Sequence, residues 1–150
     1  MKIFIALVIS LLATQAFADP PKGTIRATGT IYFELDMGDT GADGVNFAKF
    51  VPDAISLPQF PAVTSGNYAA PVRSISLEPA DKVLVAVVGP ESARKILSGN
   101  NPIIAVPVRL TLRNFGSQVE CDARVYYATL VSAASQQYMV ATSENMPYGC

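Results

Sequence analysis

An alternation of apolar and polar side chains over residues 24–35 restricts the fold of this chain more than any other feature. A period of two places one set of side chains on each face of an extended strand, so we predict a half-buried strand there. Gly29 interrupts the pattern and indicates a bulge or the close approach of a neighbouring backbone. The apolar face holds Ile25, Ala27, Ile31, Phe33 and Leu35.

Further strands are predicted on both sides of a proline-rich stretch. After a polar turn at residues 36–44, Val45–Val51 has the composition of a strand. The stretch Pro52–Pro71 is predicted to be an irregular connection with short edge pieces. Val72–Glu78 alternates again, and this alternation puts three side chains on one face, those of Arg73, Ile75 and Leu77.

Lys82–Gly89 is a continuous apolar run rich in β-branched residues. We predict a strand buried on both faces, because the short length and the flanking Pro79 and Pro90 disfavour a buried helix. Pro90 then opens a predicted short helix at about residues 91–98, since proline fits the first helical turn and a glycine follows the segment. This is the one helix that the sequence predicts after the N-terminal segment.

Ile103–Arg113 and Gln118–Val131 predict a β-hairpin around the loop Asn114–Ser117, which is rich in turn-forming residues. The register that best separates apolar from polar pairs makes Arg113 and Gln118 partners. It pairs Leu112–Val119, Leu110–Cys121, Val108–Ala123 and Val106–Val125 on the apolar face, and Arg109–Asp122 and Thr111–Glu120 on the polar face. Cys121 is thereby predicted to face the core.

After a turn at residues 132–135, Gln136–Thr142 is predicted to return as a further antiparallel strand. The segments together give six to seven strands and one short helix, joined by short polar turns. We therefore predict a mainly β fold, either an antiparallel β-sandwich or a partly open barrel. Side-chain periodicity does not distinguish between these two architectures.

Residues 1–18 have the composition of an export signal. Lys2 gives the positive start, Ile3–Leu12 the apolar stretch, and Ala16–Ala18 the small residues of a cleavage site. The apolar stretch is too short to span a bilayer, so we predict one exported domain over residues 19–150 without a transmembrane segment. The short signal and the absence of an N-x-[ST] acceptor favour the periplasm, the exterior or the cell surface of a bacterium.

The two cysteines of the chain, Cys121 and Cys150, are predicted to form a disulfide. Exported proteins meet an oxidising environment, and two cysteines permit one intramolecular connection. The alternative is a free Cys150 thiol that links the chain to a partner.

The chain contains no histidine, which removes the Ser-His and Cys-His pairs and the most common general base near neutral pH. Zinc held by cysteine alone needs four thiolates, and the chain has two cysteines. The formal net charge is −1 and the basic residues are dispersed, which disfavours nucleic-acid binding. We therefore predict no enzymatic activity, no cofactor, no metal site and no nucleic-acid partner.

The segment Asp39–Asp43 (DTGAD) resembles the active-site turn of retroviral-type aspartic proteases, and Val87–Gly89 resembles a later apolar-apolar-Gly segment of that family. The resemblance implies that Asp39 would share a proton with Asp39 of a second subunit. Because Met37 and Gly38 precede Asp39 in place of a buried apolar pair, we favour a solvated turn. Asp36, Asp39 and Asp43 also lack the alternate spacing of a Ca²⁺-binding loop.

From these observations we expect an exported, non-enzymatic protein that acts by binding or assembly with a protein partner. We favour a subunit or accessory component of a bacterial surface structure, such as a pilus (fimbrium), an adhesin or a secretion apparatus, because exported β-rich subunits assemble by strand addition. One alternative is a periplasmic or secreted inhibitor or toxin-binding subunit, and another is a retroviral-type aspartic protease-like enzyme that uses Asp39. Binding residues stay open, although five tyrosines are compatible either with a binding face or with half-buried sheet positions: Tyr32, Tyr68, Tyr126, Tyr138 and Tyr148.

Overall fold

The computed structural model describes residues 23–36 and 44–142, and these residues form six strands and two α-helices. The elements are β1 (Thr24–Leu35), β2 (Val45–Pro52), β3 (Ile75–Leu77), α1 (Ala80–Val88), α2 (Pro90–Leu97), β4 (Ile103–Glu120), β5 (Ala123–Ser135) and β6 (Met139–Val140). A short 3₁₀ turn, Leu57–Gln59, interrupts the otherwise largely irregular connection between β2 and β3. The predicted mainly β fold is confirmed, and the prediction of a single helix is wrong.

The strands pair in a ring-like order. β1 pairs with β2 on one edge and with β4 on the other, both antiparallel. β2 continues to β3, β3 pairs in parallel with β5, and β5 returns antiparallel to β4. Pairing therefore passes through β1-β2-β3-β5-β4 and back to β1, which is consistent with a sandwich or an open barrel whose β3–β5 pair departs from the predicted antiparallel pattern.

β1 forms as its alternation predicts, because the apolar face meets the core on the inner side of the ring. Ile31 and Phe33 are fully buried, and the neighbouring β2 places Phe50 beside them. A side chain at Gly29 would put its Cβ 2.2 Å from the backbone oxygen of Val51, so the predicted close backbone approach is confirmed. The predicted strand over Val45–Val51 is confirmed by β2.

The prediction of a buried strand over Lys82–Gly89 is wrong, because this run lies mostly within helix α1. Both flanking prolines mark the start of a helix: Pro79 directly precedes α1, and Pro90 is the first residue of α2. The run reads as uniformly apolar, yet the helix buries Val83, Leu84 and Val87 and leaves Val85 exposed. The predicted helix at about residues 91–98 is confirmed by α2.

The predicted hairpin loop at Asn114–Ser117 is wrong, because β4 continues through it as far as Glu120. The turn-forming composition serves a bulge instead: Asn114 has φ 54° and the pairing with β5 shifts between Arg113 and Gly116. The actual turn lies at Cys121 and Asp122, whose φ angles are 44° and 58°.

The predicted cross-strand pairs fail for the same reason. Arg109 pairs with Ala134, so the Arg109–Asp122 pair does not form, and Asp122 lies in the turn. Cys121 is exposed in that turn and does not face the core. The other observed partners are Leu110–Ala133, Leu112–Leu130, Val108–Ser135 and Thr111–Ser132 between β4 and β5, and Val106–Ile31 between β4 and β1.

The last described residues, after β5, continue to pair with β4. The predicted turn at residues 132–135 is wrong, since β5 extends through Ser135. The Gln136 N–H donates to the Pro107 carbonyl (3.0 Å), and Met139 of β6 then pairs with Ala105. β6 is thus antiparallel to β4 and continues the course of β5, so the predicted return of Gln136–Thr142 as a strand antiparallel to the preceding one is wrong.

Candidate functional site

The ring is closed by only a short ladder where β3 meets β5. β3 pairs with β5 only along Ile75–Leu77, opposite Tyr126–Ala128. Residues ahead of β3 and residues at the start of β5 bound most of a cleft of about 450 Å³. We call it the seam cleft, and it is lined by Lys49, residues 67–71, residues 73–74 and residues 122–126.

Three cationic side chains line the seam cleft: Lys49, Arg73 and Arg124. They belong to β2, to the segment before β3 and to the start of β5, so the strand order brings together residues that are distant in sequence. In the described residues, no carboxylate forms an ion pair with any of them, and Asp122 is the carboxylate that shares their cleft. The cleft is therefore locally positive on a chain whose formal net charge is −1.

Arg124 is held in position by the cleft walls. Its Nε donates to the Tyr68 carbonyl (3.1 Å) and its Nη1 donates to the Ser117 hydroxyl (3.3 Å). Within the described part of the chain, Nη2 of Arg124 and the whole guanidinium of Arg73 make no hydrogen bond. Guanidinium groups offer forked N–H donors, a geometry that matches planar carboxylates.

Lys49 lies on the outer face of β2, opposite Ser76 of β3. Its Nζ is 5.3 Å from the centre of the Phe47 ring. Partial burial lowers the pKa of Lys49, and the negative charges of Glu120 and Glu34 offset part of that effect. A partly desolvated ammonium is attracted to an incoming anion more strongly than a fully hydrated one.

Tyr126 anchors the irregular wall of the cleft. Its hydroxyl donates to the Ala70 carbonyl (2.6 Å) and accepts from the Val63 N–H (2.9 Å), which ties the Val63–Ala70 bridge to β5. The ring stacks on Phe115, with 5.7 Å between centroids, and Phe60 lies 5.3 Å from Phe115 on another side. The bulge in β4 therefore supplies the aromatic contact that fixes the proline-rich connection.

A second polar cluster lies between β1 and the end of β2. The Thr28 hydroxyl donates to the Asp53 carboxylate, whose other oxygen accepts the Ser56 N–H at 2.8 Å. The Ser56 hydroxyl accepts the Thr28 N–H at 2.8 Å. The Thr28 hydroxyl and then the Ser56 N–H lower the pKa of Asp53. Because Ser56 is 3% exposed and its hydroxyl is engaged, this cluster holds the strand ends together and does not present a nucleophile.

The residues predicted from the sequence fall only partly within the described chain. Cys121 precedes Asp122 of the seam cleft, whereas Cys150 lies outside the described residues, so their disulfide stays a prediction. Asp39 and Asp43 also lie outside. The Asp36 N–H donates to the Gly44 carbonyl (3.0 Å), which joins the ends of the β1–β2 connection. The catalytic and Ca²⁺-binding interpretations of that loop stay untested.

The tyrosines divide between core and surface. Tyr126 is buried and Tyr32 is half-buried in β1, as expected of sheet positions. Tyr68 and Tyr138 are exposed, and Tyr68 lines the seam cleft. Tyr148 lies outside the described residues.

The sequence prediction missed the three cations of the seam cleft. It placed Arg73 on the apolar face with Ile75 and Leu77, but β3 begins only at Ile75, and Arg73 is exposed ahead of it. A charged residue at the start of a predicted apolar face was the available signal. Lys49 and Arg124 carried no local signal, because only the strand order places them beside Arg73.

In residues 23–36 and 44–142, no three His, Cys, Asp or Glu side chains are grouped so that they could hold a metal ion. None of the helices there is long and apolar enough to cross a bilayer. The chain matches no known family model, no curated protein and no solved structure.

Proposed function

We propose that this protein is an exported, non-enzymatic binding or assembly protein that holds a protein partner in the seam cleft. Within that class we favour a subunit or accessory component of a bacterial surface structure. The observation that carries the proposal is the cleft itself, a concave site with an anchored wall and three cations that form no ion pair with the described residues. Preformed concavities with a few convergent polar groups are the usual form of binding sites.

The strand order supports the same location. A five-stranded ring with helices between β3 and β4 resembles the partly open Greek-key barrel of OB-folds. Proteins of that fold bind ligands on strands 2 and 3 and at the loops after strands 1 and 4. The seam cleft has corresponding contributions from Lys49 of β2, Arg73 before β3 and Asp122 of the β4–β5 turn. This is an analogy between folds, and it supports the location of a binding site without identifying the ligand.

Binding is favoured over catalysis by the chemistry of the lining. The cleft offers three cations, one carboxylate, two phenols, an amide and a hydroxyl, and the chain has no histidine to act as a base. Asp122, the carboxylate of the lining, accepts no hydrogen bond from the described residues. These side chains suit electrostatic and hydrogen-bonded recognition.

Site-specific photo-crosslinking in the organism that carries the gene tests this function. A benzophenone amino acid replaces Tyr68 at the cleft or Val85 on α1, two positions with similar exposure, 39% and 44%. We expect a covalent adduct with a specific exported protein from position 68 and none from position 85. The absence of a protein adduct at position 68, in cells that export the protein, would contradict the proposal.

The identity of the adduct separates the alternatives. A pilus, adhesin or secretion component supports the favoured role, whereas a toxin would replace it with the inhibitor or toxin-binding role. Cleavage of a peptide library by the mature protein, lost in Asp39→Asn, would replace the binding role with that of an aspartic protease-like enzyme.

A further inference from the structure

We propose that the seam cleft binds an acidic, extended peptide segment of the partner. The segment adds as a strand to the open edge of β5, and its carboxylates meet Arg73, Arg124 and Lys49. This inference rests on the proposed function and specifies what the cleft recognises.

The backbone of the cleft offers an edge for strand addition. Ala123 and Arg124 of β5 pair on one side with Glu120 and Val119 of β4. On their other side no strand of the described residues pairs with them, because the β3 ladder starts opposite Tyr126. An open strand edge presents backbone donors and acceptors that an extended peptide can satisfy.

The charges next to that edge select an acidic segment. Arg73 has no partner within the described chain, and Arg124 keeps Nη2 available beyond its two internal hydrogen bonds. Carboxylates satisfy such donors through charge-assisted, often bidentate, hydrogen bonds. In a strand, alternate side chains share one face, so glutamates at every second position can face the cations together.

The surroundings favour a segment with few charges over a polyanion. Asp122 lines the same cleft, and Glu120 is close enough to affect the pKa of Lys49. Both carboxylates repel a chain that carries a charge on every unit, such as a nucleic acid or an acidic polysaccharide. Single-stranded nucleic acids also need aromatic rings on which to stack, and Tyr126 is buried, which leaves Tyr68 as the exposed aromatic ring of the lining.

Fluorescence anisotropy with defined peptides tests the inference. The probe is a labelled seven-residue peptide of alternating glutamate and threonine, and its control has glutamine in place of glutamate. The proteins are the oxidised mature chain, Arg73→Glu and Arg94→Glu. Arg94 is exposed on α2 outside the cleft, so its reversal makes the same change in net charge.

We expect the acidic peptide to bind about tenfold or more tightly than the glutamine peptide, since charged hydrogen bonds distinguish them. Arg73→Glu should weaken binding about tenfold or more, whereas Arg94→Glu should change it less than about threefold. Arg73→Gln should give an intermediate loss, and circular dichroism confirms that each variant is folded.

Three results would overturn the inference. They are equal binding of the two peptides, equal losses in Arg73→Glu and Arg94→Glu, and tighter binding of polygalacturonate or oligothymidylate than of the acidic peptide. A partner that crosslinks at position 68 with Arg73→Glu as well as with the wild type would remove the inference and leave the proposed function intact. Peptide binding that depends on Arg73, without any crosslinked partner in cells, would contradict the proposed function and leave the acidic-peptide specificity of the cleft intact.

Discussion

The two sides of the ring are built by opposite means. On one side, which we call the wall, β1 pairs with β4 from Thr24 to Glu34 and with β2 along its other edge. Its polar groups, such as the Asp53 carboxylate, are satisfied by neighbouring residues. At the seam, β3 and β5 share only a short ladder, and the cations have no ion-pair partner within the described chain. The strands of the wall are therefore joined by long ladders, while the seam combines a short ladder with cations that form no ion pair in the described chain.

The largest difference between wall and seam should appear when an aromatic ring is removed from each. Phe33 of the wall is fully buried, so Phe33→Ala should lower the free energy of unfolding by about 3–5 kcal/mol. Tyr68→Ala at the seam should cost less than about 1 kcal/mol, because the ring is partly exposed. Urea unfolding measures both, and a larger loss in Tyr68→Ala would reverse the assignment of stability to the wall.

The next largest effect on stability is expected from the predicted disulfide near the seam. We expect the mature protein to show a mass lower by two hydrogens than the reduced chain, from a bond between Cys121 and Cys150. Reduction should then lower the free energy of unfolding by roughly 3–4 kcal/mol, because it releases a loop of about thirty residues. The double variant Cys121→Ser, Cys150→Ser should match the reduced wild type. A disulfide-linked dimer as the main species would contradict the intramolecular bond.

Substitution of two glycines by alanine tests whether the backbone of the wall is more rigid than the side chains near the seam. Gly29→Ala should cost about 1–3 kcal/mol, because its Cβ would collide with a backbone oxygen that the β1–β2 ladder fixes. Gly116→Ala meets the Tyr127 hydroxyl at 2.7 Å, but this side chain is 41% exposed and can turn away. Thermal unfolding should therefore rank Gly29→Ala as clearly more damaging, and equal losses would argue against this difference in rigidity.

The smallest expected effect is a pH dependence that belongs to the wall. Hydrogen bonds lower the folded-state pKa of Asp53 below its ordinary value of 3.8, so the carboxylate stabilises the fold above that pH. This contribution is lost as the pH falls through 3.8 towards the lower folded-state pKa. Asp53→Asn should be less stable than the wild type near neutral pH, and the difference should narrow between about pH 4 and pH 2.

Asp122→Asn at the seam is the matched control for that experiment. Its carboxylate accepts no hydrogen bond from the described residues, so its substitution should lower the free energy of unfolding near neutral pH less than Asp53→Asn does. A constant difference between Asp53→Asn and the wild type from neutral to acid pH would contradict the assigned role of Asp53.

The wall was predictable from the sequence because its signal is local. The alternation in β1 reports one buried face, and the glycine that breaks it marks a real backbone contact. The run at Lys82–Gly89 failed because an uninterrupted apolar segment fits a buried strand and a short helix equally well. The structure is helical there, and the proline on each side of the run stands at the start of a helix: Pro79 caps α1 and Pro90 is the first residue of α2.

The predicted antiparallel pairing of β4 with β5 is confirmed, but the predicted turn and register of this hairpin are wrong for a more general reason. Ile103–Val108 is almost entirely apolar, so many registers give apolar partners, and the apparent match did not identify the true one. The seam cleft was beyond sequence reasoning because its cations come from three segments that only the β2–β3 and β3–β5 pairings bring together. Non-local pairing of this kind leaves no periodicity in any one segment.

The position of β4 between β1 and the β5–β6 course has a mechanical consequence. β1 starts opposite Arg113, and β6 ends opposite Ile104, so the described chain enters and leaves at opposite ends of this part of β4. Antiparallel ladder bonds lie perpendicular to the strands, so tension between the two ends loads them in shear, all at once. Such an arrangement resists pulling better than one whose strands separate pair by pair.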